Sequence, residues 1–376
     1  MKVLILYAKY GGGHLAAANS IKNYIENNYE NTEVMSVDFV EYFNNFLNNS
    51  TTNAYKLMAK KAPIVWKKLY YGSTKGFLSD VSNFADTLMA IKLKKLINEF
   101  QPDLIISTHP FGTPIIAHLK KNNVTNAKFA VIFTDFAPHA QWLFGKEFCD
   151  YFFVSNDNMK TELINSYNVP EQLIHVTGIP LSSAFSGPFN NDEIYTKYDL
   201  DKNKKLILFF GGGEFGLGQK RTVQILKSLT RYTSNYQILA VSGRNAEMYN
   251  AFLELSKQIE GNDLHVVEYT TDVPGLMHLS SLVVTKPGGL TSSESLASEL
   301  PILITTPIPG QEEENAEFLV NSGAGVLLGK NDDIDETVDK VLSDENKFAE
   351  MKENARKIAK KNSTRDICGI LLGEEG

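Results

Sequence analysis

The sequence predicts an α/β protein with two Rossmann-like domains, and three observations lead to this fold class. Short apolar runs alternate with amphipathic segments almost from end to end, as in βαβ units with parallel sheets. The 376 residues exceed the roughly 250 to 300 at which a single core stops growing. Residues 182–204 combine a Gly-Pro pair, paired asparagines and clustered charges without periodicity, which is typical of a linker.

The predicted strands form one set for each domain. The first set comprises residues 3–8, 34–37, 104–107, 129–134, 151–155 and 175–177. The second set comprises residues 205–210, 237–242, 265–269, 281–285, 302–305 and 325–328. We therefore place an N-terminal domain at 1–185 and a C-terminal domain at 200–345. Apolar residues at helical spacing predict one helix or two over 346–376, which could pack back on the N-terminal domain.

Composition narrows the class of protein. With 43% hydrophobic and 22% charged residues, the chain has the balance of a soluble globular protein, and no apolar run approaches the roughly 20 residues of a membrane span. A net charge of -7 argues against binding nucleic acid over the whole surface. Cys149 and Cys368 stand far apart and outside any CxxC pattern, which favours a reducing, cytoplasmic compartment without a disulfide or zinc site.

Glycines and hydroxyl residues follow the predicted strand 281–285. Glycines let the backbone approach a ligand, and free N–H groups at a helix start form an anion site suited to a diphosphate. About one turn into the helix, a carboxylate could accept both hydroxyls of a ribose. The candidate residues are Lys286, Gly288, Gly289, Thr291 and Glu294. The alternative is an ordinary strand-to-helix turn with a capping residue.

The next predicted strand ends in the rigid loop PIPGQEEEN. Ligands of parallel sheets lie at the carboxyl ends of the strands, so this loop and the glycine turn should line one crevice. Gln311 and Glu312 could hydrogen-bond sugar hydroxyls, and Asn315 closes the same block. Glu313 and Glu314 are better explained as a solvated first turn favoured by the helix dipole. A solvated first turn of a helix is also the alternative explanation for the acidic residues 312–314 as a whole.

A third glycine turn opens the second domain. It begins with Gly211, Gly212 and Gly213 directly after a strand, and any Rossmann unit uses such a turn, so the pattern is weak evidence by itself. Arg244 follows the next strand in the equivalent place. It could meet the nucleotide from the other side, or it is simply an exposed charge.

Polar residues also end strands of the first domain. Asp135 could orient or assist a base, and His139 could meet the acceptor or the sugar. Either residue could instead stabilise its loop. His109 follows another strand and has the same two explanations, with the structural one favoured.

Four motifs together resemble a known family. The run TKPGGLTSSESLASELPILITTPIPGQEEENA, the opening GGGHLAAA, and FTDFAPHAQW and VTGIPL between them are similar to bacterial diacylglycerol glucosyltransferases and plant monogalactosyldiacylglycerol synthases. The likeness spans most of the chain in the right order. It implies a GT-B fold, with the two domains facing across a cleft, and membership of glycosyltransferase family 28. It also implies inverting transfer from a UDP-sugar to a membrane lipid without a bound metal.

The resemblance assigns His14 the role of general base. This histidine ends the glycine-rich loop of the first domain, as the proposed base does in the family, and an imidazole titrates near neutral pH. The alternative is that His14 caps the helix after it. Two Asp-x-Asp pairs, at 199–201 and 333–335, do not stand at strand ends, so we expect no metal. Helix dipole and glycine amides can bear the leaving charge.

Residues 42–79 contain lysines and aromatic residues but no acidic residue. In an otherwise acidic protein, this combination suits an anionic membrane surface. The residues chosen as candidates for membrane contact are Trp66, Lys60, Lys61, Lys67 and Lys68. The alternatives are a covered core helix with a basic loop, or nucleic-acid binding.

We therefore expect a peripheral enzyme on the cytoplasmic face of the cell membrane. It would move glucose, or less readily galactose, from a UDP-sugar to diacylglycerol or a related lipid, with no cofactor and no nucleic-acid partner. Two alternatives remain. One is a transferase with a polyprenyl-linked acceptor, and the other is a UDP-sugar-binding sensor.

Overall fold

A computed structural model describes most of the chain. The described residues are 1–9, 12–43, 93–211, 218–259, 261 and 263–373. They divide into two compact units. The first unit comprises Met1–Ser183, Pro309–Gln311 and Asn362–Gly376, and the second comprises Ala184–Ile308 and Glu312–Lys361.

The first unit is built on a six-stranded parallel sheet in the order β2-β1-β3-β4-β5-β6. Its strands are β1 (Lys2–Tyr7), β2 (Glu33–Asp38), β3 (Leu104–Ser107), β4 (Lys128–Ile132), β5 (Tyr151–Val154) and β6 (Ile174–Val176). The inner strands are continuous apolar runs because helices cover both faces of the sheet. Leu6 pairs with Ser107, which pairs with Val131, so β1, β3 and β4 end at one level.

Helices cover this sheet and enclose an apolar core on each face. They are α1 (Gly13–Asn28), α2 (Phe39–Phe43), α3 (Gly112–Lys121) and α4 (Asp157–Asn165), together with helical residues 93–100. Because α1 follows β1 and α3 follows β3, each presents its N-terminus at the carboxyl edge of the sheet. That edge is where the candidate residues of this unit lie.

The second unit repeats this architecture with a parallel sheet in the order β12-β11-β10-β7-β8-β9. Its strands are β7 (Lys205–Phe210), β8 (Tyr236–Val241), β9 (Leu264–Val267), β10 (Ser280–Thr285), β11 (Ile302–Ile304) and β12 (Gly325–Leu327). All of the predicted strands are confirmed, with ends within two residues of those expected. The order places β10 and β11, whose loops carry the donor candidates, side by side.

The helices of the second unit alternate with its strands. They are α5 (Asn191–Lys197), α6 (Gln219–Leu229), α7 (Ala246–Ser256), α8 (Val273–Leu279), α9 (Gly289–Ala297), α10 (Gln311–Asn321), α11 (Ile334–Leu342) and α12 (Glu345–Ile358). None of the described helices in either unit combines the length and apolarity that crossing a bilayer requires.

The segment that we interpreted as a linker, because it lacks periodicity, contains helix α5. Helix α5 begins where the Asn190 side chain accepts a hydrogen bond from the Glu193 N–H at 3.4 Å. Just before it, Phe189 stacks on His278 of α8 with ring centroids 4.2 Å apart. Contacts with α8 therefore stabilise a helix too short to show a periodic pattern.

The C-terminal segment forms two helices. After α12 the chain turns at Ala359, which is extended, and α13 (Ser363–Leu372) follows. Ile367 and Cys368 of α13 are buried in the core cluster that contains Val3 of β1. Thr364 Oγ1 donates to the Leu181 carbonyl at 2.6 Å. The last helix thus belongs to the core of the first unit, whereas α12 belongs to the second.

Candidate functional site

The glycine turn after β10 presents an uncapped helix N-terminus. Gly288 precedes α9, and no side chain caps the helix there. The first N–H groups of a helix have no intrahelical acceptor, so they can bind an anion. A Cβ built on Gly288 would meet no atom within 4 Å. The space beside this glycine is therefore open, and its use as a diphosphate site remains a prediction. Gly289 and Thr291 lie in the first turn.

Lys286 and Glu312 join this turn to the loop after β11. Lys286 Nζ lies 2.6 Å from Glu312 Oε1, and the other carboxylate oxygen accepts the Ile308 N–H at 3.0 Å. The Glu312 carboxylate is thus committed to holding two loops, and its predicted contact with a sugar remains a prediction. Lys286 precedes α9 in the same turn, and its ammonium group is paired with Glu312.

Asn315 fixes the glycine turn from below. Its side chain is buried, and Nδ2 donates to the Pro287 carbonyl at 3.0 Å. This bond holds the backbone just before Gly288. Asn315, predicted as a donor ligand, therefore positions the turn that would contact the diphosphate. Gln311 is the first residue of α10 and follows Gly310, whose φ of 106° requires glycine.

Glu294 has a strongly perturbed carboxyl group. Burial raises its pKa from 4.5 to about 8, so the group is mostly protonated at neutral pH. Within the described residues, its side chain makes no hydrogen bond or ion pair. A desolvated carboxyl without a partner is costly, and a ligand that donates two hydroxyl groups would relieve that cost.

The third glycine turn is only partly described. A Cβ on Gly211 would lie 2.5 Å from Cζ of Phe252, so glycine is needed here for packing, whatever it does toward a ligand. Gly212 and Gly213 lie outside the described residues. Arg244 is exposed after β8, and its guanidinium lies 5.1 Å from the ring centroid of Tyr269. Tyr269 is 61% exposed, which makes the pair an accessible aromatic and cationic surface.

In the first unit, His14 is held by residues that follow two neighbouring strands. Its Nδ1 lies 2.6 Å from the Thr108 carbonyl oxygen and 3.1 Å from Thr134 Oγ1. A carbonyl oxygen can only accept, so the short contact places the proton on Nδ1. The lone pair is therefore on Nε2, which makes no hydrogen bond within the described residues. In return, Thr108 Oγ1 donates to the His14 carbonyl at 2.9 Å.

Burial keeps the His14 imidazole neutral. Desolvation lowers its pKa from 6.5 to about 4, although the hydrogen bond to the Thr108 carbonyl acts in the opposite direction. The ring is packed edge-on against His109 with centroids 4.5 Å apart, and Trp142 lies at 6.3 Å. At neutral pH the residue is thus an unprotonated base with a fixed tautomer.

His109 is occupied with its own loop. It is buried, and its Nδ1 accepts the Phe111 N–H at 3.2 Å. Burial, followed by the charge of His14, lowers the pKa of His109 well below its usual value. These contacts agree with the structural explanation favoured for His109, while its ring forms one wall against His14.

Asp135 and His139 lie in the loop after β4. The Asp135 carbonyl accepts from Ser155 Oγ at 2.9 Å, and its side chain is partly exposed. His139 is buried, and its Nδ1 accepts the Gln141 N–H at 3.4 Å, which caps the short 3₁₀ helix Ala140–Leu143. This contact favours the loop-stabilising alternative for His139.

Sequence reasoning missed three residues around His14. Thr108, Thr134 and Trp142 each contact its ring or backbone or pack beside it. For Thr108 and Thr134 the available signal was their position just after β3 and β4, because hydroxyl groups at strand ends point toward the carboxyl edge. Trp142 lies in the 3₁₀ helix Ala140–Leu143 and carried no such signal. The predicted membrane residues Trp66, Lys60, Lys61, Lys67 and Lys68 all lie outside the described residues. In the described part of the chain, no cluster of three His, Cys, Asp or Glu side chains could hold a metal.

The arrangement of the two parallel sheets is shared with solved structures of known fold. The fold matches MurG from Acinetobacter baumannii, with a TM-score of 0.65, 13% identity and 100% coverage of both chains. It also matches the UDP-GlcNAc 2-epimerase from Neisseria meningitidis bound to UDP-GlcNAc, with a TM-score of 0.63, 16% identity and 100% coverage of both chains. The fold is GT-B, as the resemblance implied.

Sequence comparisons identify the family. Residues 14–181 match the monogalactosyldiacylglycerol (MGDG) synthase family, and residues 190–358 match glycosyl transferases group 1. A processive diacylglycerol beta-glucosyltransferase of Bacillus cereus (strain B4264) is 31% identical over 375 residues, covering 99% of this chain and 94% of the relative. A Bacillus mycoides (strain KBAB4) relative of the same name is 31% identical over 379 residues, with the same coverage of both chains. The chain belongs to this glycosyltransferase family.

Proposed function

We propose that the protein transfers glucose from UDP-glucose to the hydroxyl group of diacylglycerol, with inversion at the anomeric carbon and without a metal ion. The activity for which its relatives are named supports the glucosyl donor and the diacylglycerol acceptor. The observation that supports the chemistry is the hydrogen bonding of the His14 ring. Its Nδ1–H is committed to the Thr108 carbonyl at 2.6 Å, which leaves Nε2 as the basic atom.

The reaction begins with the acceptor. Nε2 of His14 takes the proton of a glycerol hydroxyl as its oxygen attacks C1 of glucose. The bond between C1 and the diphosphate oxygen breaks, and UDP leaves with the electron pair. Attack opposite the leaving group inverts C1. A single base suffices because the departing diphosphate is stable as an anion.

The second unit holds the donor. The N–H groups at the start of α9 bind the diphosphate and, together with Lys286 from the preceding turn, stabilise the charge that grows on it. The Glu294 carboxylate accepts the two ribose hydroxyls. Gln311 and Glu312 are the proposed ligands of the sugar.

We place the protein at the inner face of the cell membrane, because its proposed acceptor is a lipid. The lysines and aromatic residues of 42–79 would bind the anionic surface. This part of the proposal depends on sequence alone. Vesicle co-sedimentation tests it: binding that is unaffected by anionic lipid content and by replacing Lys60, Lys61, Lys67 and Lys68 would contradict it.

The test of function uses the full chain with radiolabelled UDP-glucose or UDP-galactose, over vesicles that contain diacylglycerol or a polyprenyl phosphate. We expect a glucosylated lipid from UDP-glucose and diacylglycerol, unchanged yield in EDTA, and a β linkage by NMR. The proposal would be refuted if none of the four combinations gave a lipid-soluble label. If only the polyprenyl lipid became labelled, the acceptor would be a polyprenyl lipid and not diacylglycerol.

A further inference from the structure

The hydroxyl group of Thr134 is buried next to the His14 ring. Thr134 follows β4 and is 5% exposed, and its Oγ1 lies 3.1 Å from Nδ1 of His14, a residue 120 positions earlier in the chain. Within the described residues, the Thr134 hydroxyl group makes no other hydrogen bond. A valine would fill the same volume without the cost of burying a hydroxyl group. The packing of the core therefore does not require threonine here.

The backbone fixes the position of this hydroxyl group. The Phe133 N–H donates to the Phe153 carbonyl at 3.0 Å, which extends the pairing of β4 with β5 to Phe133, the residue before Thr134. On the other side of the ring, the Thr108 N–H donates to the Leu6 carbonyl at 3.0 Å. The imidazole thus lies among oxygens that two rigid strand ends hold in place.

Two oxygens share one N–H. The Thr108 carbonyl at 2.6 Å takes the main hydrogen bond from Nδ1, and Thr134 Oγ1 at 3.1 Å is the second acceptor of the same hydrogen. When Nε2 accepts a proton, the ring becomes cationic. Both oxygens then face the Nδ1 side of the cation and stabilise it in a desolvated site, where such contacts are strong.

From this geometry we infer that Thr134 is a positioning residue for the base: its hydroxyl holds the His14 ring in the Nδ1–H tautomer and stabilises the imidazolium formed during transfer. The inference rests on the proposed function for its kinetic consequence. Its structural content, the state of the His14 ring, does not depend on the substrate.

Other titratable groups lie close to the ring. His109 packs edge-on against His14 from the loop after β3, and Asp135 follows Thr134 in the loop after β4. Substitution of Thr134 leaves both groups in place. A change in the titration of His14 can then be assigned to the missing oxygen.

The experiment compares Thr134→Val, Thr134→Ser and Thr177→Val in the full chain. Thr177 is a matched control because it is 6% exposed, also follows a strand of the first sheet, and has an Oγ1 without a hydrogen bond within the described residues. Rates of glycolipid formation are measured as a function of pH and of UDP-glucose concentration.

We expect Thr134→Val to lower kcat by about 10- to 100-fold, the effect of losing a hydrogen bond to a charged group. At each pH the KM for UDP-glucose stays at its wild-type value, and the acid limb of the kcat profile, measured at saturating UDP-glucose, moves to lower pH. Thr134→Ser has the wild-type kcat and the wild-type acid limb, and Thr177→Val behaves as wild type. A Thr134→Val enzyme with wild-type kcat and an unmoved acid limb would overturn the inference.

A second measurement separates this inference from the proposed function. Spectra of protein labelled with ¹⁵N-histidine, with His14→Gln used for assignment, report the protonation of each ring nitrogen without any substrate. We expect the His14 signals of wild type to show a protonated Nδ1, and those of Thr134→Val to shift. Superimposable His14 signals would overturn the inference even if the enzyme is active. A shift in a protein that transfers no glucose would support it while refuting the proposed function.

Discussion

Glu294 makes donor binding depend on pH in a predictable way. In the free protein, burial holds its pKa at about 8, so at pH 7 about 0.9 of the molecules carry a proton there. If the ribose hydroxyls donate to this group, the bound form must be the carboxylate. Binding of UDP-glucose at pH 7 should therefore release about 0.9 proton per site. UDP-glucose suits the test because its doubly esterified diphosphate does not titrate near neutrality.

Isothermal titration calorimetry in buffers of different ionisation enthalpy measures this proton. The apparent binding enthalpy should vary with the buffer, with a slope of about 0.9 proton at pH 7, and affinity should rise about tenfold per pH unit below pH 8. The matched control is Glu294→Gln, which keeps the shape and removes the titration. Buffer-independent enthalpy in wild type, or equal slopes in the two proteins, would refute the assignment of Glu294.

The same carboxyl affects stability with a defined sign. Its folded pKa lies above the unfolded value of 4.5, so the folded state binds more protons between pH 4.5 and about 8, and stability falls as pH rises through this window. The full shift corresponds to about 5 kcal/mol, and partial exposure to solvent reduces this to about 2 kcal/mol. Without ligand, Glu294→Gln should therefore melt several degrees above wild type at pH 8.5, and about equally at pH 4.5. Equal melting temperatures at both pH values would contradict this.

Three further predictions concern the two glycines, Lys286 and His14. Gly211→Ala should lower the free energy of unfolding by about 1 to 3 kcal/mol in denaturant titrations, because its Cβ would lie 2.5 Å from Phe252, whereas Gly288→Ala should leave stability unchanged and weaken UDP-glucose binding. If Gly288→Ala bound UDP-glucose with wild-type affinity, the glycine turn after β10 would not be part of the donor site. Lys286→Met should raise the Kd for UDP-glucose about tenfold or more by calorimetry, and an unchanged Kd would exclude contact with the diphosphate. Because the His14 pKa is about 4, kcat at saturating UDP-glucose should fall only as pH approaches 4, and a limb near 6.5 would contradict the neutral ring.

The strands were predictable from sequence because parallel strands buried on both faces are continuous apolar runs. Runs such as KVLILY and KLILFF leave little room for another assignment. Helix α5 was not predictable, since its seven residues carry no periodic face and tertiary contacts such as Phe189 on His278 stabilise it. A helix this short is therefore decided by its packing and not by its local pattern.

The candidate site was predictable in position but not in detail. Glycines and polar residues at strand ends located both groups of residues, because the carboxyl edge of a parallel sheet gathers them. The sequence could not show that the Glu294 carboxyl lacks a partner among the residues that the structure describes, nor that Glu312 is held by Lys286. It also could not show the contact between Thr134 and His14, because such contacts join distant parts of the chain.

The central claim is that His14 is the base of a glucosyl transfer to diacylglycerol. The most direct test measures labelled glycolipid formed from UDP-glucose and diacylglycerol vesicles by wild type, His14→Gln and His118→Gln, where His118 is an exposed histidine of α3. We predict that His14→Gln loses activity by about 1000-fold or more but binds UDP-glucose with unchanged Kd, and that His118→Gln matches wild type. Equal rates for His14→Gln and wild type would contradict the account.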